Sequence, residues 1–168
     1  HLHSLPISIQ GINLIKVIQD LGINDNVSFS YGTFGSSGWS EEGLNYIYNI
    51  ADVNVSASSS EGFGLGTLES MACGKPNIGP DCSSFTELIG EDEKTRRGLL
   101  ASISDWQMIQ DGSLRALVDE RDLSLKMKMT YIDKDKMKIF SDNGIKWVKQ
   151  YNWENITKEW DRLLQEGK

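Results

Sequence analysis

Residues 53–70, VNVSASSSEGFGLGTLES, pass from alternating apolar positions through a glycine-rich loop into a helix, and no other stretch constrains the fold as much. A strand that enters a helix through a loop is half of a βαβ unit, the building block of parallel sheets. The same rhythm continues on both sides. Val27, Phe29 and Tyr31 alternate as a strand does, and so do Val53, Val55 and Ala57. Leu14, Val17, Ile18 and Leu21 form a helical stripe that Gly22 is placed to end. Leu44, Ile47, Tyr48 and Ala51 form a second, with Ser40 as the expected N-cap ahead of Glu41 and Glu42. A helix over 65–73 should close at Gly74 with Pro76 beyond, before a short strand near 77–79 and a helix near 84–89. From 122 to 167 the pattern is helical and charged, with Trp147, Tyr151, Trp153 and Trp160 along it. Residues 103–113, ISDWQMIQDGS, read as a surface loop between two short strands, with Trp106 as its anchor rather than a lid. The expected fold is α/β: one Rossmann-like domain over residues 1–168, a parallel sheet flanked by helices, and C-terminal helices packed alongside.

Charge and cysteine usage narrow the function. A formal charge of −7 and a pI near 4.8 argue against a nucleic-acid partner, which would call for a basic patch. Any phosphate recognition must then be local. Cys73 and Cys82 lie in no metal or redox spacing and read as buried thiols of a reducing compartment. There is no apolar run of the ~18 residues that span a bilayer, and no signal-peptide pattern, so the expected location is cytoplasmic. His1 and His3 would share one strand face, but no third ligand is evident, and no metal site is expected. The chain opens in strand-like sequence without an initiator methionine, which suggests a piece of something longer.

The chemistry concentrates in 61–69. Ligands of parallel α/β sheets bind at the carboxyl ends of strands, where loops enter helices. Gly62, Gly64 and Gly66 free the backbone to approach a ligand, and a helix beginning near Leu65 would offer unpaired N–H groups to an anion. The Thr67 hydroxyl would add a donor. Glu69, about one turn in, tilts back toward the helix N-terminus and can accept two hydroxyls, as a ribose diol presents them. Glu61, ahead of the glycines, would hold a second set. Carboxylates on both sides of an anion loop therefore suit a diphosphate flanked by two sugars. Each glutamate alone also fits a plainer role, in helix-dipole or loop solvation.

Two other readings stay open. Gly62-x-Gly64-x-x-Thr67 nearly spells a dinucleotide fingerprint, with Asp81 about twenty residues on, though threonine stands where glycine or alanine is wanted. A non-catalytic interaction module would account for the acidic surface and the aromatic C-terminal helices.

The stretch 48–79, YNIADVNVSASSSEGFGLGTLESMACGKPNIG, resembles the C-terminal donor-binding half of the retaining GT-B glycosyltransferases of family 4, whose hallmark is E-x7-E in a run like EGFGLPPLEAMACGTPV. Glu61 and Glu69 match the acidic positions, Gly62, Phe63, Gly64 and Leu65 the loop, and Met71, Ala72, Cys73 and Gly74 the helix end. LGINDNVSFSYG, 21–32, and YNWENITKEW, 151–160, resemble the family's strand before the base-binding loop and its closing helix. The resemblance implies a nucleoside-diphosphate-sugar donor as substrate, no cofactor, and no metal. It implies Glu61 as the catalytic contact to the transferred sugar, and Gly62 to Gly66 with Thr67 lining sugar and diphosphate. Glu69 would take the ribose, and Tyr31, Gly32 and Thr33 would border the base. A glycan, lipid or other acceptor would be met by an N-terminal domain lying outside this sequence, with peripheral membrane contact possible in the parent protein. Gly66 and Thr67 stand where the family often has prolines. The family's diphosphate-clamping arginine and lysine would precede His1, so this chain is expected to be inactive alone. Arg96 and Arg97 read as a solvated basic pair rather than substitutes for them.

Overall fold

The computed structural model describes residues 1–3, 7, 12–30 and 39–167. These fall into two units, His1–Ile47 and Tyr48–Lys168.

In the first unit, α1 (Leu14–Asp20) starts at Asn13, whose side chain accepts the Lys16 N–H at 3.1 Å, and Gly22 follows its end at φ 65°. Of the expected stripe only Ile18 is buried. A short 3-10 turn spans Asn24–Asn26, and among the described residues the expected strand after it shows as a parallel bridge between Leu2 and Phe29. His1 and His3 are spent beside that bridge, hydrogen-bonded to Ser28 (2.9 Å) and Ser30 (2.6 Å). Among the described residues no cluster of His, Cys, Asp and Glu is arranged to hold a metal ion. Helix α2 (Glu41–Ile50) begins as expected, the Ser40 hydroxyl accepting the Gly43 N–H at 3.1 Å.

The second unit is built on β1 (Asn54–Val55), β2 (Asn77–Pro80) and β3 (Gly98–Ala101), a parallel sheet in the order β1-β2-β3. All four residues of the central strand are buried. Between β1 and β2 runs α3 (Leu65–Ala72), and between β2 and β3 runs α4 (Ser84–Ile89). Helices α5 (Glu120–Ile132) and α6 (Lys134–Val148) follow, then α7 (Trp153–Glu166). Ile78 and Leu99 pack on Met137 and Phe140 of α6, with Val53 and Leu123 at the margin. Leu68, Met71 and Leu88 form a second cluster under Trp147, Val148 and Tyr151. The buried Asn77 is partnered: it accepts from Asn54 and from Ser70, both at 2.7 Å, and donates to the Lys75 carbonyl. Helix α3 ends at Gly74, φ 70°, with the Gly74 and Lys75 N–H groups returned to Met71 and Ser70 carbonyls.

Three readings are overturned here. Residues 103–113 are not a loop: β4 (Ile103–Met108) and β5 (Leu114–Val118) form an antiparallel hairpin that turns at Gly112, φ 83°. The polar residues of β4 hid it, because β4 is exposed on both faces and alternation therefore carries no signal. Trp106 is thus neither lid nor loop anchor; it lies on β4 opposite Ala116 and half exposed. Arg97 is not solvated either. It is 6% exposed, stacks 4.1 Å over the Trp147 ring, and donates to the carbonyls of Leu88 (2.5 Å) and Glu87 (2.7 Å), the end of α4. Burial lowers its pKa.

Candidate functional site

The loop 56–64 leaves the carboxyl end of β1. The Ser56 N–H still pairs with the Ile78 carbonyl at 2.9 Å, and beyond it Ser58 donates to the Ser60 carbonyl. The hairpin supports the loop from outside, since Ala116 donates its N–H to the Ser59 carbonyl at 3.0 Å. Asp81 and Ser83 follow β2 at the same edge of the sheet. A cavity of about 450 Å³ lined by Asp52, Val53, Pro76, Tyr131 and Lys134 lies at the other edge, where strands begin. Parallel sheets present ligands at the carboxyl edge, so the loop is the candidate site.

Gly64 caps α3 at φ 87°, ψ 48°, a conformation natural to glycine. Its carbonyl accepts the N–H groups of both Thr67 (3.0 Å) and Leu68 (3.2 Å). Thr67 itself is buried, so its amide is committed to the helix. The N–H groups of Leu65 and Gly66 have no partner among the described residues and form the open end of the helix. Leu65 is exposed, and so are Gly62 and Gly66.

Glu61 is half-buried. Its Cγ would lie 3.5 Å from a Cβ built on Gly64, so the carboxylate arm runs beside the glycine cap. The Ser83 hydroxyl accepts the Glu61 N–H at 3.1 Å and donates to the Glu61 carbonyl. The neighbouring Ser84 Oγ is buried and has no hydrogen-bond partner. Phe63 is half exposed and meets Tyr151 edge-on, centroids 6.4 Å apart, and Tyr151 lies 4.7 Å from Trp147. The aromatic loop residue thus ties the site to the turn after α6.

Glu69 is exposed on α3 and accepts a 2.7 Å hydrogen bond from the Tyr48 hydroxyl. Burial, followed by that bond, raises the Tyr48 pKa, so the phenol stays protonated and donating. Burial also raises the pKa of Cys73 and Cys82, keeping both as thiols of low reactivity.

Glu61, Gly62, Phe63, Gly64, Leu65, Gly66, Thr67 and Glu69 are therefore brought together at one sheet edge. Tyr31, Gly32 and Thr33 lie outside the described residues. Sequence reasoning missed Tyr48 and Ser83. At helical spacing Tyr48 counts with an apolar stripe although it carries a hydroxyl, and Ser83 reads only as the residue before a helix.

Comparison with known proteins agrees with this architecture. The family described as Glycosyl transferases group 1 matches residues 12–136. The O-antigen chain mannosyltransferase B of Escherichia coli is 32% identical over 117 residues, which is 70% of this chain and 26% of that protein. The chain thus spans about a quarter of the length of that curated relative. Among solved structures, sucrose-phosphate synthase from Thermosynechococcus elongatus superposes with a TM-score of 0.69 at 24% identity, covering 91% of this chain and 33% of that one. Anabaena Alr3699/HepE in complex with UDP also gives 0.69, at 19% identity, over 91% of this chain and 36% of that one. At these identities the structural likeness concerns the fold, which is that of the GT-B glycosyltransferases. By the extent of the family match, this chain belongs to the glycosyl transferases group 1 family.

Proposed function

We propose that the chain is the donor-binding half of a retaining, metal-independent glycosyltransferase that moves a sugar from a nucleoside diphosphate to an acceptor. The observation that carries this reading is the loop itself. Two carboxylates, Glu61 and Glu69, flank the open N–H groups of Leu65 and Gly66 at the carboxyl edge of a parallel sheet. Open amides at a helix start stabilise an anion, here the diphosphate, and they act equally on the charge that builds there as the sugar departs. Glu69, held by Tyr48, would accept the ribose hydroxyls. Glu61 would accept hydroxyls of the transferred sugar and support the positive charge of its transition state. Protein donors alone would neutralise the leaving diphosphate. The UDP held by the HepE structure is consistent with such a donor.

The acceptor would be bound by another part of the parent protein, and the isolated chain is expected to bind donor without completing transfer. The setting proposed is cytoplasmic, and among the described residues no helix is long and apolar enough to cross a membrane. No observation specifically favours the dinucleotide or interaction-module reading. Glu61→Gln and Glu69→Ala, made singly in the full-length protein, test the proposal. A charge-assisted hydrogen bond contributes ~1.5–3 kcal/mol, so each should lower kcat/KM by roughly ten- to a hundredfold. Glu69→Ala should act mainly on donor KM and Glu61→Gln mainly on kcat. Near-normal transfer by both variants would exclude the assignment.

A further inference from the structure

We infer that Ser83 is a positioning residue for Glu61, fixing the backbone that aims its carboxylate; the inference rests on the role proposed for Glu61. Ser83 stands immediately before α4 with φ 56° and ψ −147°, the only non-glycine positive φ among the described residues. Glycine takes such a backbone freely, whereas a residue with a Cβ does so at a cost and only where its surroundings over-determine it. Here the Ser83 side chain is held by Glu61, while the Thr86 hydroxyl donates to the Ser83 carbonyl at 3.0 Å.

A serine ahead of a helix ordinarily turns its hydroxyl onto an N–H of the first turn. Ser83 makes no such cap. Its hydroxyl is turned instead to a residue 22 positions earlier, accepting the Glu61 N–H at 3.1 Å and donating to the Glu61 carbonyl. One hydroxyl can do both, having one proton and two lone pairs. The two groups belong to the peptides on either side of the Glu61 Cα, so holding both fixes the direction of its side chain. No other group bonds the Glu61 backbone among the described residues. The carboxylate arm then leaves beside Gly64, at the mouth of α3. Without the clamp, Glu61 would sit in a glycine- and serine-rich loop with nothing to hold its backbone in place.

Ser83→Gly and Ser83→Ala in the full-length protein separate positioning from mere support. Glycine removes the hydroxyl but is at home at this φ; alanine removes the hydroxyl and keeps the strain. Both should lower kcat by roughly ten- to a hundredfold, the scale of a misplacement near 1 Å, with donor KM changed less than about threefold. Ser83→Gly should melt no lower than wild type, while Ser83→Ala should melt lower. Were Ser83 only structural, activity would follow stability and Ser83→Gly would transfer normally, which overturns the inference. Glu61→Gln measured in parallel distinguishes the two levels. If Glu61→Gln is impaired and Ser83→Gly is not, only the positioning role is lost. If Glu61→Gln itself transfers normally, both readings fall.

Discussion

Gly64 meets two constraints that no other residue type meets together. Its φ of 87° disfavours any side chain, and a Cβ there would lie 2.5 Å from Cδ1 of the buried Leu88. Gly64→Ala should therefore destabilise the fold by ~2–4 kcal/mol, combining left-handed strain with overpacking. At this size the midpoint should drop by roughly 4–16 °C in a thermal melt. Gly62→Ala is the control, since nothing lies within 4 Å of a Cβ at Gly62. Equal midpoints for the two variants would refute the packing account. The spacing in EGFGLGTLE already marked Gly64 as a loop residue. That its neighbour is Leu88 was not legible, because the contact joins residues 24 apart through tertiary packing alone. Tyr48 is hidden for a related reason: at helical spacing a tyrosine counts as apolar, and its bond to Glu69 joins residues 21 apart in sequence.

Among the elements, α3 and α4 were legible to within a residue because each has a periodic stripe and a glycine just past its end. The β4–β5 hairpin was not, although Asp111-Gly112 is a hairpin turn pair, because both faces of β4 meet solvent. The start of α5 shows how the helical third is fastened to the sheet. Asp119 caps the helix by accepting from Arg121 (2.8 Å) and Asp122 (3.0 Å). Asp122 in turn accepts from the Ser102 hydroxyl (2.7 Å) and N–H (2.8 Å), and pairs with Lys126 at 3.3 Å. The Ser102 bonds hold the Asp122 pKa below its ordinary value. A depressed carboxyl pKa stabilises the fold above the unfolded pKa of ~3.9, and the stabilisation is lost as pH falls through the folded value. Asp122→Asn should thus lose ~1–2 kcal/mol at pH 7, with the gap to wild type narrowing progressively below about pH 4. Urea midpoints at pH 7 and pH 3 check this, and a gap unchanged between them would show that charge is not the cause.

At the scale of the molecule, the three-stranded sheet has the candidate loop at its carboxyl edge, and a cavity lies at the opposite edge beside α5 and α6. The last helix, α7, has no buried residue, and Trp153 and Trp160 are 82% and 61% exposed. With an acidic balance across the chain, the proposed donor binding should depend on the loop amides and not on general charge. A thermal-shift panel of UDP, GDP, ADP, their sugar conjugates and NAD(H) at millimolar concentration, on wild type and Glu69→Ala, tests this most directly. Ligand at ~100 times its dissociation constant stabilises by ~2.7 kcal/mol, a rise of roughly 5–10 °C for a chain of this size. The account requires one nucleoside diphosphate, with or without its sugar, to raise the midpoint of wild type and to lose most of that effect in Glu69→Ala. A rise with NAD(H) alone, or a nucleoside-diphosphate response that Glu69→Ala leaves intact, would contradict it.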